Sequence, residues 1–112
     1  PSVILWSIGN EMDYPNDPYT ERNAGVLARD ARRLTEAVRK GDSTRPITAA
    51  LGAPERADRI GLADQLDVVG YNYKLDQMLS DMKAHPDRKF IGSEQDYHMD
   101  YIDCLATNSR LT

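Results

Sequence analysis

Four short, mostly apolar runs alternate along the chain with three longer segments in which apolar residues recur every three or four positions. The runs are "VILWSI" (3–8), "RPITAAL" (45–51), "DVVGYNY" (67–73) and "KFIGSE" (89–94). Each run has the length of a strand, and the first is nearly continuous, as is typical of a parallel strand covered on both faces. The pattern therefore predicts four β-strands with a helix between each successive pair.

The three segments between the runs predict amphipathic helices. The apolar face of the first consists of Leu27, Ala31, Leu34 and Val38. The apolar face of the third consists of Leu75, Met78, Leu79 and Met82. Gly41 is expected to end the first helix and Pro86 the third. The second predicted helix covers residues 54–66, although Gly61 in its middle is a weak helix former.

The order β-α-β-α-β-α-β predicts an α/β fold with a parallel sheet and right-handed crossovers. Two architectures share this order: an open doubly wound sheet and a section of a (β/α)8 barrel. After the first strand, "SIGNE" lacks the glycine spacing of a nucleotide-binding loop, which disfavours a nucleotide-binding open sheet. A whole barrel needs about 250 residues, so four strands would make half of one.

The composition excludes some classes of partner. The chain has 112 residues, of which 40% are hydrophobic and 29% charged, with a formal net charge of −4. This acidic balance disfavours nucleic acid and anionic membranes as partners. No apolar run is long enough to span a bilayer, and no basic-then-apolar pattern typical of a leader is found before the first strand. Cys104 is the single cysteine, so no intrachain disulfide forms, and both a cytoplasmic and a secreted parent protein stay open.

Polar side chains follow the predicted strands at their carboxyl ends, where function gathers in parallel α/β folds. They are Asn10 and Glu11 after the first strand, Asn72 and Tyr73 at the third, and Ser93 and Glu94 at the fourth. Two glutamates facing one opening indicate paired-carboxylate chemistry on a glycosidic bond. A carboxylate separation of about 5 Å would mean retention of configuration at the sugar, and a wider one inversion.

The segment "PSVILWSIGNE" closely resembles the acid/base motif of glycoside hydrolase family 2, which includes β-galactosidases and β-glucuronidases. "STRPITAAL", "DVVGYNY" and "FIGSE" resemble the next three barrel strands of that family in order and approximate spacing. The resemblance implies strands four to seven of a TIM (β/α)8 barrel. It also implies a retaining, β-galactosidase-like glycosidase that acts on a β-glycoside or oligosaccharide by double displacement, without a cofactor.

The same resemblance assigns roles residue by residue. Glu11 matches the family's general acid/base, and Glu94 matches its catalytic nucleophile. Asn10 matches the asparagine that hydrogen-bonds the sugar 2-hydroxyl. Tyr73 resembles the tyrosine that orients the nucleophile, with Tyr71 as the alternative.

Two further residues are candidates for substrate binding. Asn72 stands at the end of the third strand, and Trp6 lies within the first motif. Trp6 has two interpretations, a sugar-stacking aromatic or a packed core residue.

The resemblance covers about residues 1–97, and we expect these to form a half-barrel fragment, with residues 98–112 as a divergent or disordered tail. Four parallel strands leave two open sheet edges, and such edges tend to associate. We therefore expect a homodimer formed through those edges.

Two alternatives to glycoside hydrolysis stay open. In the first, Glu94, Asp96, His98 and Asp100 share one face of an extended tail, bind a divalent metal and support hydrolysis of esters or phosphoesters. In the second, the fragment is catalytically silent and only self-associates.

Overall fold

Four parallel strands form one sheet. The computed structural model describes residues 2–14 and 24–95. The strands are β1 (Trp6–Asn10), β2 (Ile47–Leu51), β3 (Val68–Asn72) and β4 (Phe90–Glu94). They lie in the order β1-β2-β3-β4, so each strand pairs with the next one along the chain. This confirms the predicted α/β class.

The described residues of each crossover include one α-helix. These helices are α1 (Ala24–Gly41), α2 (Pro54–Arg59) and α3 (Leu75–Ala84). Among residues 2–14 and 24–95, no helix has the length and apolarity needed to cross a membrane.

The core lies between the sheet and the helices. Alternate residues of the two central strands face it: Ala49, Leu51, Val69 and Tyr71. The helices contribute Leu27, Ala31, Ala57 and Met78. Because strand side chains alternate, the intervening residues of β2 and β3 face the opposite surface, which carries the polar groups described below.

The first strand departs from the prediction that both of its faces are covered. Val3 is 41% exposed and Ile4 74% exposed, and regular pairing begins only at Trp6. By contrast, all five residues of β2 are buried. The reason is position, since β1 is an edge strand of the described sheet and β2 has a neighbour on each side.

Two details of the predicted helices were wrong. Leu34 is 44% exposed, whereas Thr35 is 3% exposed, and the Thr35 hydroxyl donates to the Arg32 carbonyl at 2.8 Å. This bond within the helix satisfies the hydroxyl and lets threonine take the inward position. The predicted helix over 54–66 is broken, because Gly61 adopts a left-handed φ of 75° and only a 3-10 turn, Ala63–Gln65, follows.

Ion pairs hold together the amino ends of the strands, which we call the base of the sheet. Asp42 lies after α1 and accepts hydrogen bonds from Thr44, Trp6 and Arg45. Together these bonds, led by those from Thr44, hold the pKa of Asp42 far below its usual range. Arg45 also donates to the Val3 carbonyl at 2.8 Å, which fixes the segment that leads into β1.

Asp67 fastens the start of β3 to the start of β2. Its carboxylate accepts the Ile47 backbone N–H at 2.9 Å and the Arg39 guanidinium at 2.6 Å. Partial burial alone would raise the pKa of Asp67, but these two bonds outweigh it and the pKa is lowered. On the far side of the base, Arg88 bonds Asp58 of α2 at 2.7 Å.

Candidate active site

We call the carboxyl ends of the strands, with the residues directly after them, the rim of the sheet. At the end of β1 the rim contains Asn10 and Glu11. The pairing of β1 with β2 shifts register between Ser7 and Asn10, and such irregularities re-aim side chains. Glu11 then adopts a left-handed φ of 49°. Its backbone N–H still donates to the Ala50 carbonyl at 2.7 Å, so the glutamate leaves the strand while its main chain stays fixed to β2.

Asn72 connects the strand ends. Its side-chain amide donates to Asn10 Oδ1 at 3.1 Å and to Glu11 Oε1 at 3.2 Å. Its Oδ1 accepts the Ser93 hydroxyl at 2.7 Å. Asn72 is only 1% exposed, and its bonds to three other side chains satisfy an amide that would otherwise be costly to bury. The ends of β1, β3 and β4 are thus joined in one network.

Small residues on β2 and β3 leave room for this network. In register with Asn10 lies Ala50, and next to it lies Gly70. A Cβ on Gly70 would lie 2.5 Å from the Ala49 carbonyl oxygen and 3.1 Å from Ser93 Oγ. Larger side chains here would therefore displace the backbone or the Asn72 network.

Glu94 is held by Tyr73 in two ways. The Tyr73 hydroxyl donates to Glu94 Oε2 at 2.8 Å, and the Tyr73 backbone N–H donates to the Glu94 carbonyl at 2.9 Å. Tyr73 has a left-handed φ of 55°. Glu11 and Tyr73 are the non-glycine residues with positive φ in the described part of the chain, and such strain is concentrated at functional sites.

Tyr71, the alternative to Tyr73, lies on the other face of the sheet. Its hydroxyl donates to Asp81 Oδ2 of α3 at 2.7 Å, and its fully buried ring packs against Phe90 at a centroid distance of 5.7 Å. Burial, followed by the bond to Asp81, raises the pKa of Tyr71 far above its usual value. The structure therefore brings Tyr73, and not Tyr71, together with Glu94.

The structure does not bring Trp6 to this group. Trp6 begins β1, and at a strand rise of about 3.3 Å per residue it lies roughly 13 Å before Asn10. Its indole N–H donates to Asp42 at the base of the sheet at 3.0 Å.

Sequence reasoning missed Asp13. This residue is 0% exposed, and its two carboxylate oxygens accept the backbone N–H groups of Gly52 and Ala53 at 3.0 and 2.9 Å. In "MDYPNDPY" an aspartate among prolines reads as an exposed turn residue, and no local pattern indicates its burial.

The proposed metal site lies mainly outside the described residues. Asp96, His98 and Asp100 belong to the part of the chain that is not described. Within residues 2–14 and 24–95, no group of three or more histidine, cysteine or acidic residues is placed to hold a metal ion.

Comparison with known protein families identifies the family to which the chain belongs. Residues 1–109 match the model of the TIM barrel domain of glycosyl hydrolases family 2. The chain belongs to glycosyl hydrolase family 2. This confirms the resemblance of "PSVILWSIGNE" and the later strands, and the four parallel strands form part of the family's TIM barrel.

Individual relatives agree with the family 2 assignment. Beta-galactosidase BoGH2A of Bacteroides ovatus is 30% identical over 84% of this chain. A family 2 structure from Bacteroides cellulosilyticus superposes with a TM-score of 0.78 at 36% identity, covering 99% of the chain. The beta-glucuronidase of Bacteroides uniformis gives a TM-score of 0.71 at 25% identity over 85% of the chain.

The family 2 chain is much shorter than these relatives. It spans 14% of the Bacteroides ovatus protein, 14% of the Bacteroides cellulosilyticus chain and 13% of the Bacteroides uniformis chain. The strands described here are therefore a small part of proteins of that size.

Proposed function

We propose that the chain carries the acid/base and the nucleophile of a retaining, β-galactosidase-like glycosidase, with Glu11 as acid/base and Glu94 as nucleophile. The observation that carries the proposal is the network at the rim, in which Asn72, the last residue of β3, donates to Glu11, and Tyr73, directly after it, donates to Glu94. A shared connection of this kind places both carboxylates at the same end of the sheet, as a reaction on one glycosidic bond requires.

The reaction runs as a double displacement. A Glu94 oxygen attacks the anomeric carbon and forms an ester bond while the glycosidic C–O bond breaks. Glu11 gives its proton to the departing oxygen. Glu11 then takes a proton from water, the resulting hydroxyl attacks the anomeric carbon, and Glu94 leaves as a carboxylate. Glu11 ends protonated and Glu94 ionised, as at the start.

The hydrogen-bond donors suit these roles. The Tyr73 hydroxyl occupies Glu94 Oε2, which leaves Oε1 for attack on carbon. The Asn72 amide occupies Glu11 Oε1, so a transferable proton must sit on Oε2. Neither donor is a cation, so these bonds do not place either carboxylate in an ion pair.

Asn10 is proposed to contact the sugar 2-hydroxyl. Its Oδ1 accepts from Asn72, which fixes the side chain next to Glu11 and leaves its own amide N–H groups to donate to a hydroxyl. Asn72 is completely buried, so we propose that it positions Asn10 and Glu11 rather than contacting sugar extensively. Trp6, whose indole N–H donates to Asp42 at the base, is proposed to have a structural role and not to stack on the sugar.

The relatives support covalent catalysis. One solved structure is Bacteroides uniformis beta-glucuronidase 2 covalently bound to cyclophellitol-6-carboxylate aziridine. A covalent adduct with a sugar-like molecule is what a nucleophilic carboxylate forms, and the corresponding role here falls to Glu94.

The test is a panel of nitrophenyl β-glycosides assayed with the full natural protein that contains this chain. We expect turnover by the wild type, and losses of at least about 10²-fold for Glu11→Gln and Glu94→Gln. The first product detected by NMR should be the β-anomer. An α-anomer as the first product would refute retention, and loss of activity on adding a chelator would favour the metal alternative.

We further propose that the 112-residue chain, expressed alone, is a homodimer that pairs through its open sheet edges. The support is the exposed apolar surface beside β1, where Val3 is 41% and Ile4 74% exposed, because such edges associate. Light scattering on the chain and on Ile4→Lys tests this, with a dimer expected for the former and a weaker one for the latter. A monodisperse monomer would refute it.

A further inference from the structure

We propose that Asp13 is a positioning residue for general acid catalysis: it fastens the loop that carries Glu11 onto the end of β2. The inference rests on the proposed role of Glu11, but it concerns a residue to which neither the family resemblance nor the sequence pattern assigns a role.

The attachment uses the whole carboxylate. Oδ1 accepts the Gly52 N–H at 3.0 Å and Oδ2 accepts the Ala53 N–H at 2.9 Å. Asp13 is 0% exposed, so water does not compete for these bonds. Burying a carboxylate costs free energy unless it is bonded in this way. A charged residue needed only for solubility would be exposed, so the burial of Asp13 indicates a structural role.

Glu11 lies between two attachments to the same short segment. On one side its own N–H donates to the Ala50 carbonyl at 2.7 Å, and on the other Asp13 bonds to Gly52 and Ala53. Glu11 itself has a left-handed φ of 49°, which a non-glycine residue adopts only when its surroundings hold it there. The two attachments provide that constraint.

Packing gives a second, independent indication that the loop is seated directly on Gly52. A Cβ at Gly52 would lie 2.7 Å from Tyr14 Cδ2 and 3.4 Å from Glu11 Cγ. The loop and the Glu11 side chain thus use the space left by the missing side chain. A methyl group added there would press on the Tyr14 ring of the loop and would contact the Glu11 side chain.

A displaced general acid has a specific kinetic signature. Glycosides with a very acidic leaving group, such as 2,4-dinitrophenol, depart without protonation, whereas those with a weakly acidic phenol need the proton from Glu11. An enzyme whose acid is misplaced loses more activity on the second kind of substrate. An enzyme that is merely less stable or less abundant loses the same proportion on both.

The experiment compares kcat/KM on these two substrates, which share one sugar, using the full natural protein. The variants are Asp13→Asn, Glu11→Gln and the control Asp67→Asn, which removes a carboxylate that also bonds a β2 backbone N–H, but at the base. An asparagine at position 13 would turn its NH₂ toward a backbone donor and lose one of the two bonds.

For Asp13→Asn, we expect the loss of kcat/KM on the substrate with the weakly acidic leaving group to be about tenfold greater than the loss on the dinitrophenyl substrate. Small misplacements of a catalytic group cost up to about 10²-fold in rate. Glu11→Gln should show a larger difference and Asp67→Asn none. Equal losses of Asp13→Asn on both substrates would overturn the inference alone. Absence of any leaving-group dependence in Glu11→Gln would overturn the proposed function instead.

If Asp13→Asn does not fold, Gly52→Ala decides the matter. Its added methyl group presses on the loop without removing the buried carboxylate, and it should produce the same leaving-group dependence. Wild-type ratios of the two rates in a folded Gly52→Ala protein would contradict the inference.

Discussion

The carboxylates at the two ends of the sheet have different kinds of hydrogen-bond partner. At the base, aspartates pair with arginines at 2.6 to 2.7 Å. These pairs are Asp67–Arg39, Asp42–Arg45 and Asp58–Arg88. At the rim, Glu11 accepts from an amide at 3.2 Å and Glu94 from a phenol at 2.8 Å. The same sheet thus presents ion-paired acids at one end and acids bonded by neutral groups at the other.

The difference separates stability from chemistry. A carboxylate beside a guanidinium stays ionised and ties two elements together, which suits the base. A carboxylate held by neutral donors is oriented without a permanent counter-charge, which suits a group that must exchange a proton or attack carbon. The left-handed residues Glu11 and Tyr73 also lie at the rim.

Of the substitutions considered, Asn72→Asp should have the largest effect, because it places a charged group at the rim. It would remove the amide that donates to Asn10 and Glu11 and would put a second negative charge beside Glu11. We expect kcat/KM to fall by at least about 10²-fold and the free energy of unfolding to fall by about 1–3 kcal/mol. Ser93→Ala, which removes only the bond to Asn72 Oδ1, is the milder control. Wild-type kinetics for Asn72→Asp would mean that the network does not position Glu11.

Tyr73→Phe and Tyr71→Phe form a matched pair that sharpens the contrast. The first removes the bond to Glu94, so kcat should fall by about 10²-fold, with the free energy of unfolding changed by no more than about 0.5 kcal/mol. The second removes the buried bond to Asp81, so stability should fall by about 1 kcal/mol and kcat should stay. Steady-state kinetics and urea unfolding of both variants measure this. A fall in kcat for Tyr71→Phe together with unchanged kcat for Tyr73→Phe would contradict the roles assigned to the two tyrosines.

Arg88→Ala tests the base. Arg88 bonds Asp58 at 2.7 Å and Asp64 at 3.3 Å, with its side chain 18% exposed. We expect the free energy of unfolding to fall by about 1–2 kcal/mol and kcat of the folded enzyme to be unchanged. Arg88→Lys, which keeps the charge but not the two-armed geometry, should recover part of the loss. A selective fall in kcat would show that the two ends are not independent.

Asp67→Asn should have the smallest effect, seen most clearly in the pH dependence of the free energy of unfolding. Because the pKa of Asp67 is lowered on folding, its contribution to stability is present above about pH 4 and is lost as the pH falls through the folded value. With Asp67 partly exposed, a few tenths of a kcal/mol is expected. Acid unfolding of the variant should therefore show a shallower loss of stability with falling pH. Asp42 contributes in the same direction, so a residual slope is expected, and an unchanged slope would contradict the role of Asp67.

The amino-acid sequence by itself determined the elements and the place of the candidate site. Short apolar runs and the amphipathic face of α1 locate the strands and the helix between them, because burial periodicity is a local property. Glu11 and Glu94 could be assigned to the same rim before any coordinates, since parallel strands present their carboxyl ends at one side. The segment "PSVILWSIGNE" and the three later strand segments then indicated the family, which the family model confirms.

Only the tertiary structure decided which side chains meet. Strict alternation along β3 would put Tyr71 and Tyr73 on the same face. The left-handed φ of 55° at Tyr73 turns its side chain to Glu94 instead. The same interruption at Glu11 brings it beside Asn10, with which a regular strand would alternate. The burial of Asp13 depends on its bonds to Gly52 and Ala53, which lie 39 and 40 positions further along the chain. Non-local bonds of this kind select backbone conformations that local preferences disfavour, and no local pattern in the sequence records them.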